Sequence, residues 1–177
     1  TMKLEVHQPA LAEAFARQGK DINKATHQEM RSLVCAQCHV EYYFKGDKKH
    51  LTFPWDKGMT IEKMEEYYDA EGWTDYVHPL SRTPILKAQH PDYELSQLGI
   101  HGQRGVSCAY CHMPYKTDGA VKFSDHHISS PLRNVSASCQ TCHRQSEEEL
   151  VKNVCRGQCL AATMGTHSAE GAWALLE

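Results

Sequence analysis

Three stretches of this sequence read Cys-x-x-Cys-His: Cys35-Ala-Gln-Cys38-His39, Cys108-Ala-Tyr-Cys111-His112 and Cys139-Gln-Thr-Cys142-His143. Random placement of the 8 cysteines and 12 histidines in 177 residues would give about 0.02 such motifs. The pattern suits covalent attachment of c-type haem. Two thiols two residues apart can add to the two vinyl groups of one porphyrin, and the adjacent imidazole then supplies an axial nitrogen to iron. A disulfide framework would not need a histidine after each pair. Structural zinc needs four ligands per ion and usually pairs its Cys-x-x-Cys knuckles, whereas these motifs begin 73 and 31 residues apart. A fourth pair, Cys155 and Cys159, has three residues between its members and Leu160 where a histidine would stand. It reads as free thiols or a disulfide.

A chain of 177 residues has room for an ordinary core in one domain or two. Hydrophobic residues at 41% against 23% charged exclude a disordered chain. A formal charge of −3 excludes a broadly basic nucleic-acid binder, so no nucleic-acid partner is expected. No run of 18 apolar residues occurs, so no transmembrane helix is expected. Residues 1–5 do not resemble a signal peptide, and any export signal is expected to have been removed or to lie outside the chain. Haem attachment and high cysteine usage together point to the periplasm.

The expected fold class is mainly α with long loops, a multihaem cytochrome c in which haems form much of the core. It is expected as one unit over 1–177, including a tail over 153–177. Residues 9–18 are rich in good helix formers, with Pro9 at the start and Gly19 after the end. Thr26 and Glu29 form a capping-box pattern ahead of the first motif, and Ser146 and Glu149 form another ahead of a helix through Val154. Thr60 is placed to cap a helix over 61–70 that stops at Gly72. The proline-bearing stretches 73–108 and 113–138 read as loops wrapping cofactors, and no strand set suggests a sandwich or barrel.

Nine histidines lie outside the motifs. His101 has small neighbours, Gly99 and Gly102, that let a flat ring approach. His126 and His127 follow Asp125, whose carboxylate can orient an imidazole. His90 precedes Pro91 in an expected extended segment. His7, His27, His50 and His78 are expected at the surface or in ordinary hydrogen bonds. His167 is a further candidate haem ligand.

Several stretches resemble the catalytic subunit of the pentahaem cytochrome c nitrite reductase, the ammonia-forming enzyme. They are residues 33–44 around Cys-His-Val-Glu-Tyr, 51–58 (Leu-Thr-Phe-Pro-Trp-Asp-Lys-Gly) and Lys87-Ala-Gln-His90. To these are added 101–114, Asp125-His126 and 139–143, so the likeness runs through nearly all of residues 1–153. The resemblance implies a calcium ion held by the Glu41 carboxylate, the Tyr42 and Lys87 backbone carbonyls and the Gln89 side chain, all oxygen donors as calcium requires. It also implies that Tyr42 and His90 face the iron that binds nitrite. His90 would donate a proton as N–O bonds break, and Tyr42 would donate a hydrogen bond and serve as a proton or radical carrier. His101 would be the distal ligand of the haem at Cys139 and Cys142. His126 would ligate a haem attached elsewhere.

The family carries five haems, one of them on Cys-x-x-Cys-Lys. No such motif occurs among these residues, which encode three attachment sites. The catalytic haem, a further haem and the active-site arginine would lie before Thr1, and the long carboxyl-terminal helices of the family's dimer contact look shortened. The chain is therefore expected to be a fragment, an incompletely read sequence or a reduced relative. Alone it is expected to show bis-histidine haem spectra without nitrite turnover. The resemblance implies haem c and calcium as cofactors and nitrite as substrate. It also implies a quinol-linked or cytochrome electron donor, a homodimer in the full enzyme and peripheral membrane association through the donor. The alternatives are a non-catalytic trihaem electron-transfer cytochrome and, more distantly, a zinc-binding module.

Overall fold

The computed structural model describes residues 6–156, so Cys159 and His167 lie outside the described residues. The chain divides into two compact units, Thr1–Cys108 and Ala109–Glu177, with the change falling inside the second Cys-x-x-Cys-His motif.

The first unit opens with helix α1, Pro9–Arg17. Proline at its first position needs no intrahelical partner, and Gly19 follows its end with φ +72°. Ala10, Leu11 and Ala14 recur at helical spacing and are buried. Helix α2, His27–Leu33, starts from a complete capping box: Thr26 Oγ1 accepts from Glu29 N–H at 3.2 Å, and a Glu29 carboxylate oxygen accepts from Thr26 N–H at 2.7 Å. Strands β1, Tyr43–Lys45, and β2, His50–Thr52, form an antiparallel hairpin with Phe44 opposite Leu51. Helix α3, Ile61–Glu71, is capped by Thr60 and ends at Gly72, whose φ of +62° suits a left-handed C-cap. The core gathers Leu11, Ala14, Leu33, Val40, Phe53, Trp55 and Met64. Full burial of a large apolar side chain stabilises by roughly 1.5–3 kcal/mol, so this cluster alone makes a working core. Beside it Tyr43, Tyr67 and Tyr68 pack edge to face and Trp73 lies tilted against Tyr43, with Tyr43 and Tyr67 hydroxyls 2.8 Å apart.

The stretch 73–108, expected as loop, also holds a short hairpin, β3 Tyr76–Val77 with β4 Pro84–Ile85, and helices α4 Asp92–Leu98 and α5 Ile100–Gln103. Helix α6 is Cys108–His112. In the second unit β5, Tyr115–Asp118, pairs with β6, Val121–Ser124. A two-residue turn joins them, with Gly119 at φ +57° in its first position. Helix α7, Val135–Ser138, leads into the third motif, and a further helix covers 147–156. The prolines that suggested loops stand at the borders of elements, where a missing N–H costs least. Pro84 opens β4, Pro91 precedes α4, Pro114 precedes β5 and Pro131 opens a short 3-10 turn. The described residues are thus mainly helical with three small hairpins. Among them, no helix is long and apolar enough to cross a membrane.

Candidate haem and substrate site

Each motif is wound as a single turn. In the first, Cys38 N–H and His39 N–H both donate to the Cys35 carbonyl, at 3.1 and 2.9 Å. In the third, Cys142 N–H and His143 N–H donate to Cys139 at the same two distances, and the second motif is α6 itself. A turn of this kind sets positions i and i+3 on one face, so both thiols of a motif point the same way. The seven described cysteines are all free thiols. Cys35 is in hydrogen-bonding contact with Cys108, and that contact, together with burial, holds its thiol well above the usual thiol range. The first two motifs therefore begin from neighbouring sulfurs. Ser32 Oγ, at the end of α2, accepts from Cys108 N–H at 3.1 Å and helps fix this arrangement.

The ring orientations fit haem iron. His39 Nδ1 lies 2.9 Å from Asp92 Oδ2 and donates to it, while His112 Nδ1 donates to the Ser129 carbonyl at 3.1 Å. With Nδ1 engaged, Nε2 is the nitrogen each ring offers to a metal. In the second unit Ser138 Oγ donates to the Cys111 carbonyl at 2.8 Å, tying the second motif to the helix that leads into the third.

Around the first motif the chain gathers residues distant in sequence. The rings of Tyr42 and His90 meet with centroids 5.6 Å apart, and His90 stands 5.8 Å from His39. Tyr42 and His90 line a cavity of about 260 Å³ together with Cys38 and the apolar Val40, Phe44, Leu51 and Phe53. One imidazole and a phenol thus face a mostly apolar hollow, with the Gln8 and Gln37 side chains also at its wall, an arrangement suited to orienting a small polar ligand.

Glu41 joins the two segments of this site. It is 5% exposed; one carboxylate oxygen accepts from Tyr68 O–H at 2.9 Å and the other from Gln89 N–H at 2.7 Å. Burial raises its carboxyl above the ordinary value, opposed by those two hydrogen bonds and reinforced by the nearby Asp75 carboxylate. Asp75 itself accepts from Lys87 N–H at 2.6 Å. Two neighbouring carboxylates beside a chain segment rich in carbonyls form a donor set that suits a hard divalent cation.

A second buried carboxylate supports the first. Glu94, 1% exposed, accepts from Glu41 N–H at 2.9 Å and from the Trp55 indole N–H at 2.7 Å through the same oxygen. Removing that oxygen would strand both N–H groups at about 1–3 kcal/mol each. Burial again raises the Glu94 carboxyl, and the proximity of Glu41 adds to the effect.

Other sequence expectations fall differently. Asp125 orients His127 rather than His126: Oδ1 accepts from both the His127 backbone N–H and ring Nδ1, and Oδ2 pairs with Lys116 at 2.6 Å. The Lys116 ammonium and these hydrogen bonds hold the Asp125 carboxyl well below its usual range. Both histidines are exposed. His101 sits on α5, and its neighbour Gly102 serves helix packing, because a Cβ there would collide with the Ser96 carbonyl of α4. His50 pairs with Glu13 at 2.8 Å, and His78 accepts from Ser81 N–H at 3.2 Å, the ordinary roles expected of them. Asp92, Glu94, Trp55, Tyr68 and Asp75 complete the site without any mark in the sequence. Their partners lie tens of residues away, and a local pattern carries no sign of them.

Known proteins resemble this chain over most of its length. Residues 1–172 match the profile of the cytochrome c552 family. A cytochrome c-552 of Bacteroides thetaiotaomicron is 75% identical over 154 residues, covering 87% of this chain and 31% of that protein. A cytochrome c-552 of Porphyromonas gingivalis is 71% identical over 154 residues, with the same coverage of each. The cytochrome c-552 of Maridesulfovibrio salexigens is 53% identical over 160 residues, covering 84% of this chain and 32% of its own. The chain thus spans about a third of the length of the curated relatives it matches. Among solved structures it is similar to the catalytic subunit of the cytochrome c nitrite reductase from Desulfovibrio desulfuricans, a structure described with two calcium sites. The TM-score is 0.80 at 39% identity, covering 88% of this chain and 36% of that one.

Proposed function

The chain belongs to the cytochrome c552 family, and from that membership we propose that it forms part of an ammonia-forming cytochrome c nitrite reductase. The observation that carries the proposal is the meeting of Tyr42 and His90 over one cavity, with Glu41 bonded to the Gln89 backbone beside them. A trihaem electron carrier needs the three motifs but has no use for this pairing.

Cys35, Cys38 and His39 would hold one haem c, Cys108, Cys111 and His112 a second, and Cys139, Cys142 and His143 a third. His101 and His126 would supply further imidazole nitrogens to haem iron. Bound haem supplies one-electron transfer and a Lewis-acidic iron. The chain's own contribution is proton delivery and orientation. The His90 ring donates a proton to a nitrite oxygen as its bond to nitrogen breaks, and the Tyr42 hydroxyl donates a hydrogen bond that fixes the anion. The apolar Val40, Leu51 and Phe53 form the wall against which both contacts are made. Reduction of nitrite to ammonium consumes six electrons, supplied by a quinol-linked or cytochrome donor. The setting is the periplasm, with a homodimer as the assembly and membrane association through the donor. Both units carry haem motifs and belong to one multihaem cytochrome c.

Calcium completes the reading: the Glu41 carboxylate, the Tyr42 and Lys87 carbonyls and the Gln89 side chain would hold it, locking Tyr42 and His90 in register. The test is calcium content after exhaustive dialysis of the haem-loaded protein. Wild type is expected to retain stoichiometric calcium, and Glu41→Gln to lose it through an affinity loss of roughly 10–100-fold. A fully haem-loaded wild type that retains no calcium would overturn this assignment.

A further inference from the structure

We propose that Asp92 is a positioning residue that sets the haem at Cys35 and Cys38 to a lower reduction potential than the hydrogen bond of a neutral acceptor would give. The inference rests on the haem reading above and goes beyond it. Among the described residues, the Nδ1 partners of two motif histidines are defined, and they differ in charge. His39 donates to the Asp92 carboxylate at 2.9 Å; His112 donates to a neutral backbone carbonyl, that of Ser129, at 3.1 Å. A carboxylate draws the Nδ1 proton more strongly than a carbonyl does and makes the imidazole a stronger electron donor through Nε2. That stabilises Fe(III) over Fe(II) and is one of the levers by which a protein tunes haem.

The contact is built into the fold. Three consecutive residues of α4 grip the segment after the first motif. Asp92 takes the His39 ring, Tyr93 N–H donates to the His39 carbonyl at 3.1 Å, and Glu94 accepts from Glu41 N–H at 2.9 Å. Tyr93 stacks near Trp55 at 5.7 Å, and Trp55 is anchored to Glu94. The two residues that follow Asp92 therefore fix its backbone beside His39, although the paired side chains themselves are 63% and 62% exposed. His90 completes a trio with His39 and Asp92 whose ligand atoms lie within 4.8 Å of one another. His39 is the fifth residue of an attachment motif, so haem iron is the metal its free nitrogen serves.

The experiment is a spectroelectrochemical titration of the haem-loaded protein, with covalent haem counted by intact mass. A Cys35→Ser/Cys38→Ser variant identifies which component of the titration belongs to the first haem. In Asp92→Asn that component is expected to shift toward easier reduction by about tenfold in the Fe(III)/Fe(II) equilibrium, or about 59 mV for one electron, with the other components unmoved. Asp92→Ser, which removes the charge with a smaller side chain, should shift it the same way. Asp92→Glu should restore it toward wild type. An unchanged first-haem component at full haem load overturns the proposal, as does an equal shift of every component or loss of that haem in both neutral variants. A wild type without haem at Cys35 and Cys38 would instead refute the haem reading itself.

Discussion

Without attached haem, residues 109–156 are expected to lose their fold while much of the first unit keeps it. The reason is how little apolar surface the second unit buries on its own. Among its described residues the buried apolar side chains are Ala109, Pro114 and Val135. Small side chains of this kind cannot offset roughly 1–2 kcal/mol of backbone entropy for each ordered residue. The hairpin of β5 and β6 is not stable alone in water, and its cross-links to Asp125 and Lys116 are partly exposed. The first unit instead closes Leu11, Leu33, Val40, Phe53, Trp55 and Met64 around a single core. Attached porphyrins would supply the second unit with the apolar surface its side chains lack. Hydrogen exchange on the full chain with its six motif cysteines replaced by alanine tests this. Amides of 115–124 and 135–138 are expected to exchange at the rate of an unstructured peptide, while α1 and α3 keep measurable protection. Equal protection in the two units would contradict the expectation.

In the complete haem-loaded reductase of which this chain is proposed to form part, His90→Asn is expected to lower kcat for nitrite by roughly 10²–10⁴-fold, the range for loss of a positioned general acid. Tyr42→Phe removes one hydrogen-bond donor and leaves the ring, so a smaller loss of roughly tenfold is expected from a hydrogen bond of about 1.4 kcal/mol. His90 is exposed and sits in an extended segment held through Gln89 N–H to Glu41, so its replacement leaves that anchor in place. Haem content and visible spectra should accordingly match wild type in both variants. Initial rates of nitrite consumption, followed with a one-electron dye as donor, provide the measurement. Rates within twofold of wild type in both variants would remove these residues from the mechanism.

Local chemistry made the helical elements legible in the sequence. Thr26 with Glu29, Thr60 with Gly72 and Pro9 with Gly19 each mark a helix end through contacts within a few residues, and each forms in the structure. The haem motifs were equally local. The β5–β6 hairpin is less legible, because Pro114 and Pro131 flank it as loop signals while its only local mark is the Gly119-Ala120 turn between Asp118 and Val121. The support of the candidate site was hidden for a different reason. Asp92 reaches His39 and Glu94 reaches Glu41 across 53 residues, and Trp55 reaches Glu94 across 39. Such pairs are set by tertiary packing. In the same way Asp125 could have served either following histidine, and the backbone turn gave it to His127.

The measurement closest to the central claim is the denatured intact mass of the purified, haem-loaded protein. Three haems bound through the six motif cysteines, with Cys155 remaining free of haem, is the predicted result. A colourless protein at the bare polypeptide mass, with zinc recovered in its place, would contradict the assignment of these motifs to haem and with it the proposed reductase.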